Sequence, residues 1–198
     1  MLKIIVNKPV VDDYTLDAGF FKPACIGDKV WEDTNANGIQ DNGELGLDGV
    51  KVELMQNGSS NIKDVDGNAI APLITANGGK YHFECKLKPG KYSLKFTTPN
   101  GYYYTRADVN STDDSKDSDV KEQFKAKVGT TIETELVSGE DDLSWDAGVF
   151  KPACIGDVIW EDKNANGIQD EGEVAPKDEN NNTIAINVSL DVNKRRFR

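Results

Sequence analysis

One block of sequence occurs twice in this chain. Asp17 to Glu44 reads DAGFFKPACIGDKVWEDTNANGIQDNGE and Asp146 to Glu173 reads DAGVFKPACIGDVIWEDKNANGIQDEGE, so the 28-residue copies differ at five positions and lie 129 residues apart. That offset is far longer than a solenoid repeat and matches the size of an independent domain. The expected organisation is residues 1–23 as the tail of a preceding repeat, 24–152 as one complete repeat, and 153–198 as the truncated start of the next. Ile186 to Leu190 resembles Val50 to Leu54 and is expected to be one more strand of that third segment.

Within the complete repeat, apolar residues alternate with period two, the mark of half-buried strands. Val50, Val52 and Leu54 form one such set; Tyr81, Phe83, Cys85 and Leu87 another; then Tyr92, Leu94 and Phe96, and Ile132, Thr134 and Leu136. Each set is expected to face a core. Asn57-Gly58-Ser59-Ser60, Asn77-Gly78-Gly79 and Pro99-Asn100-Gly101 supply the turn chemistry between them. No long segment has helical spacing. The expected fold is all-β, an antiparallel two-sheet sandwich of the prealbumin-like or Greek-key kind, with roughly seven to nine strands.

The duplicated block contains a twelve-residue run, Asp33 to Glu44, that satisfies every constrained position of an EF-hand calcium loop. Calcium takes six to eight hard oxygens. Asp33, Asn35 and Asn37 offer side-chain oxygens at loop positions 1, 3 and 5, Ile39 its carbonyl at 7, Asp41 a carboxylate at 9, and Glu44 a bidentate carboxylate at 12. Gly38 permits the sharp turn. Asp162, Asn164, Asn166, Ile168, Asp170 and Glu173 repeat the set, with Gly167 at the turn. A plain Asn/Asp/Gly turn would need no metal, but two full matches favour Ca²⁺. Strand-like sequence, Val30-Trp31 before and Val50 to Leu54 after, flanks the loop where an EF-hand has helices. The calcium loop is therefore expected between strands.

Asp113, Asp117 and Asp119, with Asp28, are candidates for a second calcium site; a solvated acidic loop is the other reading. The cysteine count follows the repeat: Cys25 and Cys154 are equivalent, which leaves Cys25 and Cys85 as the pair of the complete unit. A disulfide between them suits an exported protein, and two buried free thiols are the alternative. His82, the single histidine, is expected on the surface, and Trp31, Trp145 and Trp160 as packing residues. No phosphate loop, nucleophile elbow or catalytic carboxylate pair occurs, so no enzymatic activity is expected.

Ile26 to Asp33, the loop to Glu44, Gly46 to Leu54, Ala76 to Phe83, Leu87 to Tyr92, Pro99 to Tyr102, Asp117 to Asp119 and Asp146 to Gly148 together resemble, in order, the B-type repeat of serine-aspartate-repeat bacterial surface adhesins. The resemblance implies a prealbumin-like sandwich, bound calcium, export to the cell surface, and service as a stalk that presents a separate ligand-binding region. A serine-aspartate tract, a wall-anchoring motif and an adhesin head are not among these residues, and the cysteines are not a requirement of the family. Related collagen-adhesin B-type domains form Lys to Asn or Asp isopeptide bonds. Lys29 and Asp146 are conceivable partners, but Val158 replaces the lysine in the second copy, which disfavours the bond.

Charge sharpens the functional reading. The chain carries 34 acidic against 23 basic residues, a formal net charge of −11, the wrong sign for nucleic acid. No apolar run is long enough to insert in a membrane. The favoured expectation is a calcium-stabilised extracellular spacer whose partners are the neighbouring repeats of its own chain, joined through the short, stiff link Phe150 to Cys154. Two rivals stand beside it. One is a glycan- or host-protein-binding module using Tyr102, Tyr103 and Tyr104; the other is a filament subunit that exchanges strands with other copies.

Overall fold

The computed structural model describes residues 17–109, 115–125, 127–154, 156 and 158–184. Asp113, the expected strand Ile186 to Leu190 and most of the segment 1–23 lie outside the described residues. The chain divides into two compact units, Met1–Pro152 and Ala153–Arg198.

Among its described residues the first unit is all strand and loop. Ten strands occur among the described residues: β1 (Ala24–Glu32), β2 (Lys51–Met55), β3 (Leu73–Ile74), β4 (Lys80–Leu87), β5 (Gly90–Thr97), β6 (Tyr103–Tyr104), β7 (Val128–Thr130), β8 (Thr134–Leu136), β9 (Asp141–Asp142) and β10 (Ala147–Phe150). They make two sheets. One runs β4-β1-β10-β6, with β9 also on β1; the other runs β3-β2-β5-β7, with β8 also on β5. No helix among the described residues is long and apolar enough to cross a membrane.

The alternation expected from sequence builds the second sheet. Along β2 only Val52 and Leu54 are buried, and along β5 Tyr92, Leu94 and Phe96 are. Opposite them stand Ile26 and Val30 of β1, Tyr81 and Phe83 of β4, Tyr104 of β6 and Val149 of β10, all in one core. Tyr81 and Phe96 meet edge-to-face across the two sheets with ring centroids 5.6 Å apart. Each fully buried Val, Leu or Phe contributes about 1.5–3 kcal/mol of transfer free energy, so these sets are the main apolar contact between the sheets.

Four expectations need correction. The sandwich is not wholly antiparallel: β1 pairs in parallel with both β10 and β9. Parallel neighbours need a long crossover, and here the rest of the repeat supplies it. Ile132 is 55% exposed and lies outside β8, of which only Leu136 is buried. Cys85 is exposed and does not share the buried face of Tyr81 and Phe83, because the pairing of β1 with β4 shifts between Ala24↔Leu87 and Ile26↔Phe83. Tyr102 and Tyr104 are buried, Tyr104 completely, so the three tyrosines form no exposed aromatic patch.

Candidate calcium loops and their surroundings

The loop Asp33 to Glu44 leaves the end of β1 and folds on its own side chains. Asp33 accepts from the backbone amides of Asn37 (3.2 Å, Oδ1) and Gly38 (2.7 Å, Oδ2). Asn35 and Asn37 carboxamide oxygens each accept from the amide two residues on, at 3.0 and 2.7 Å. Their amide nitrogens both donate to Asp41 Oδ2, at 2.8 and 2.9 Å. Glu44 reaches back to close the loop, accepting from Thr34 N at 2.7 Å and Asp41 N at 3.0 Å. The backbone conformations follow the residue types: Ala36 has φ 53° and Gly38 φ 88°, and glycine carries the more extreme turn without a Cβ penalty.

Contacts from far along the chain then cover this loop. Asp33 is fully buried; Thr105 Oγ1 donates to its Oδ2 at 2.6 Å, and its own amide donates to Val149 O of β10 at 2.7 Å. Ile39 pairs with Asp117 in an antiparallel bridge, supported by Gln40 N to Lys116 O at 2.7 Å and Ser118 N to Gly38 O at 3.2 Å. A Cβ on Gly38 would stand 2.6 Å from Arg106 O. The loop is thus pinned between the 105–109 and 115–118 segments.

The side chains present fit a calcium ion. Three carboxylates, Asp33, Asp41 and Glu44, and two carboxamides belong to one closed loop, all hard oxygen donors. Asp41 Oδ2 accepts from two carboxamide N–H groups, donors that a cation bound at that carboxylate would replace. The second copy repeats this internal pattern bond for bond: Asp162 with Asn166 N and Gly167 N, Asn164 and Asn166 with Asp170, and Glu173 with Lys163 N and Asp170 N.

The residues offered for a second site divide. Asp117 is buried beside the first loop, at Ile39. Asp119 is buried about Asp146 instead, accepting from Asp146 N at 2.5 Å. Asp28, half-buried, has its carboxyl pushed up by burial against the pull of Lys29 and Lys80. Sequence reasoning missed Asp146 as a member of this neighbourhood. Burial, then the charges of Asp28 and Asp119, push its carboxyl up to about 9. What reaches it from Lys29 is the backbone amide, at 3.1 Å to Oδ1. The available signal was its place at the head of the duplicated block.

Cys25 and Cys85 are joined in a disulfide with Cα atoms 4.2 Å apart, and Cys154 is free and exposed. His82 is exposed, as expected, and its Nε2 lies 2.9 Å from Asp141 Oδ1. Trp31 is fully buried and Trp145 packs against the core.

Among the described residues the first unit is thus a helix-free, two-sheet sandwich in which an acidic, glycine-turned loop follows the first strand. The family model described as SdrD B-like domain matches residues 24–149, and the chain belongs to that family, a non-enzymatic one. It is 38% identical over 205 residues to serine-aspartate repeat-containing protein F of Staphylococcus epidermidis, a match covering 98% of this chain and 11% of that protein. Against serine-aspartate repeat-containing protein D of Staphylococcus aureus strain Newman it is 39% identical over 165 residues, covering 82% of this chain and 11% of that protein. The chain is homologous to these cell-wall surface proteins and spans about a tenth of their length.

Proposed function

We propose that the chain is a calcium-stabilised structural spacer of a surface adhesin, bearing tension between neighbouring repeats at residues 24–152 and onward from 153. The observation that carries this reading is the parallel pairing of the first and last strands of the unit, Val30↔Ala147 to Glu32↔Val149. Pulling on the N-terminal end of β1 and the C-terminal end of β10 loads neighbouring parallel strands from opposite ends. Their hydrogen bonds are then sheared together instead of unzipped one at a time.

Calcium belongs at the far end of that shear pair. Asp33 directly follows β1 and its amide is bonded to β10, so an ion held by Asp33, Asn35, Asn37, Ile39 carbonyl, Asp41 and Glu44 would fasten the place where the two strands part. A ligand that binds only the folded form adds to its stability by mass action. Asp162, Asn164, Asn166, Ile168, Asp170 and Glu173 would hold a second ion. Of the residues expected at a further site, Asp117 lies beside the first loop and Asp113 outside the described residues, which leaves Asp28 and Asp119 about Asp146; burial and then those two charges raise its carboxyl, and a divalent charge there would offset the latter.

Single-molecule stretching of the chain with and without chelator tests the proposal. The expected result is a high unfolding force for the complete unit that drops when calcium is stripped, with calorimetry showing heat on its return. An unfolding force indifferent to chelation would remove calcium from the mechanism.

Strand sharing with adjacent repeats or other copies is supported by one specific observation. Ile159 and Trp160 hold the places of Val30 and Trp31 in the second copy; Ile159 is 40% exposed and Trp160 half-buried, whereas Val30 and Trp31 are completely buried. Sedimentation across protein concentrations would separate exchange between copies from burial within one chain.

A further inference from the structure

Four side chains away from the calcium loops converge on the outer face of the first sheet. Three adjacent strands supply them. Asp141 of β9 stands in register with Cys25 of β1, and His82 of β4 stands opposite Gly27 of β1. Strict alternation would put Cys85 on the face opposite His82. The shifted pairing of β1 with β4 turns it outward, onto the exposed side with His82.

Gly27 makes the crossing feasible. A Cβ there would lie 2.5 Å from Tyr81 O, 2.8 Å from His82 Cα and 3.1 Å from His82 Cδ2. Without that Cβ, the imidazole reaches across β1 to Asp141, Nε2 to Oδ1 at 2.9 Å. One ligand atom from each of Cys25, His82, Cys85 and Asp141 lies within 4.8 Å of all the others.

While the disulfide is closed neither sulfur is a thiolate, so neither can serve as a thiolate ligand. We propose that reduction of the Cys25–Cys85 disulfide converts these four residues into a tetrahedral site for a zinc-class divalent cation, so that disulfide and metal are mutually exclusive states of one cluster. Two thiolates, an imidazole and a carboxylate suit such an ion, with metal–sulfur bonds of about 2.3 Å and metal–nitrogen and metal–oxygen bonds of about 2.0–2.2 Å. Tetrahedral thiolates at that bond length stand roughly 3.8 Å apart. The irregular stretch of β4 around Cys85 is where the sheet can give that opening.

The chemistry balances. A dithiol reductant supplies two electrons and two protons, the sulfur–sulfur bond breaks to two thiols, and the reductant leaves as its own disulfide. Metal binding releases both thiol protons to solvent. His82 gives up its bond to Asp141, binds through Nε2 with its ring proton on Nδ1, and the freed Asp141 carboxylate completes the shell. Calcium does not compete, since it takes oxygen ligands and leaves thiolates to softer ions. A protein destined for the cell surface begins its life with reduced cysteines, so the metal state precedes the disulfide, and oxidation expels the ion.

The test uses the whole 198-residue chain carrying Cys154→Ser, reduced with a phosphine under saturating calcium and titrated with Co²⁺ as a spectroscopic substitute for zinc. The expected result is one equivalent bound, with tetrahedral ligand-field bands and thiolate charge-transfer absorption. Zinc should displace it and reoxidation should abolish it. Cys85→Ser should remove the charge-transfer bands, and His82→Ala or Asp141→Asn should weaken binding at least about tenfold. The proposal is overturned if the reduced chain gives no tetrahedral spectrum. It is equally overturned if both single variants bind with unchanged affinity, because the thiols alone would then gather the ion. If reduction unfolds the unit and zinc does not restore its circular dichroism, the site does not form and the proposal falls.

Discussion

Asp33 and Asp162 hold the same place in two copies of one loop, and the first is completely buried while the second is half-buried. Their local bonds are nearly interchangeable: Gly38 N to Asp33 at 2.7 Å against Gly167 N to Asp162 at 2.8 Å, and Asp41 N to Glu44 and Asp170 N to Glu173 both at 3.0 Å. What differs is everything outside the twelve residues. Thr105, Val149 and the 116–118 segment bond to the first loop; no hydrogen bond to Asp162 from outside its own loop occurs among the described residues. The contrast is not uniform, since Glu173 is buried and Glu44 only half so. The lesson is that the sequence of the loop dictates its shape, while the sandwich decides how firmly it is held.

The largest expected effect breaks this comparison at its centre. Asp33→Ala leaves the Gly38 amide and the Thr105 hydroxyl as buried donors without an acceptor, and a buried unsatisfied group costs about 1–3 kcal/mol. A loss of roughly 3 kcal/mol in the complete unit is expected in denaturant titration with chelator present. Asp162→Ala, whose amides can turn to water, should cost under about 1 kcal/mol. Equal costs would mean that burial of the first loop contributes nothing.

The glycines give a second, smaller contrast. Gly38 and Gly167 both have positive φ, 88° and 75°, so alanine at either carries a left-handed penalty of about 1–2 kcal/mol. Only at Gly38 does the new Cβ also meet a neighbour, Arg106 O at 2.6 Å; at Gly167 nothing lies within 4 Å. Gly38→Ala should therefore lower stability by about 1 kcal/mol or more beyond Gly167→Ala. Hydrogen exchange of the two loops in one sample reads both.

Thr105→Val sharpens the comparison without touching either loop. It removes the 2.6 Å hydroxyl donor to Asp33 while keeping the side chain's volume, and should cost about 1–2 kcal/mol. Exchange protection in residues 33–44 should fall toward that of 162–173, and calcium affinity of the first loop should fall with it. Unchanged protection would place the control elsewhere, in the Ile39 to Asp117 bridge.

Much of this was legible in the chain. The period-two sets at Val52/Leu54 and Tyr92/Leu94/Phe96 are the buried faces of β2 and β5, because strands packed on one side must alternate. The loop pattern announced the turn at Gly38 and the acidic and carboxamide side chains that close the loop; the bonds those side chains make to backbone two to five residues on appear only in the fold. β1 hid from the same reasoning. Ala24 to Asp28 carries no alternation, because on the outer face Cys25 is closed into the disulfide and Gly27 lies under His82, so both are buried along with Ala24 and Ile26 on the inner face. Cys85 misled for a related reason: between Phe83 and Leu87, both buried, β4 carries two residues more than its partner β1, so Cys85 stands in an irregular stretch whose outward turn nothing local in Glu84-Cys85-Lys86 announces. Thr105 and Asp146 could not be tied to the loop or to Asp119 because those partners meet only through topology.

A carboxylate outside both loops sets the lower bound of the scale. Glu53 on β2 lies 3.1 Å from Lys51 Nζ and 3.2 Å from Lys95 Nζ; these two hydrogen-bonded lysines lower its carboxyl below the usual value. A depressed carboxylate adds stability above the unfolded-state pKa, near 4.3, and loses it as pH falls through the lower folded value. Both lysines are partly solvated, 43 and 33% exposed, so screening keeps the contribution small. Glu53→Gln should cost about 0.5 kcal/mol at neutral pH, shrinking with added salt and vanishing in acid once the wild-type carboxylate is protonated. Unlike Asp33→Ala it should leave the exchange of both loops and their calcium heats unchanged. A Glu53→Gln loss as large as that of Asp33→Ala, measured by the same denaturant titration, would show that charge and not burial ranks the acidic residues of this sandwich.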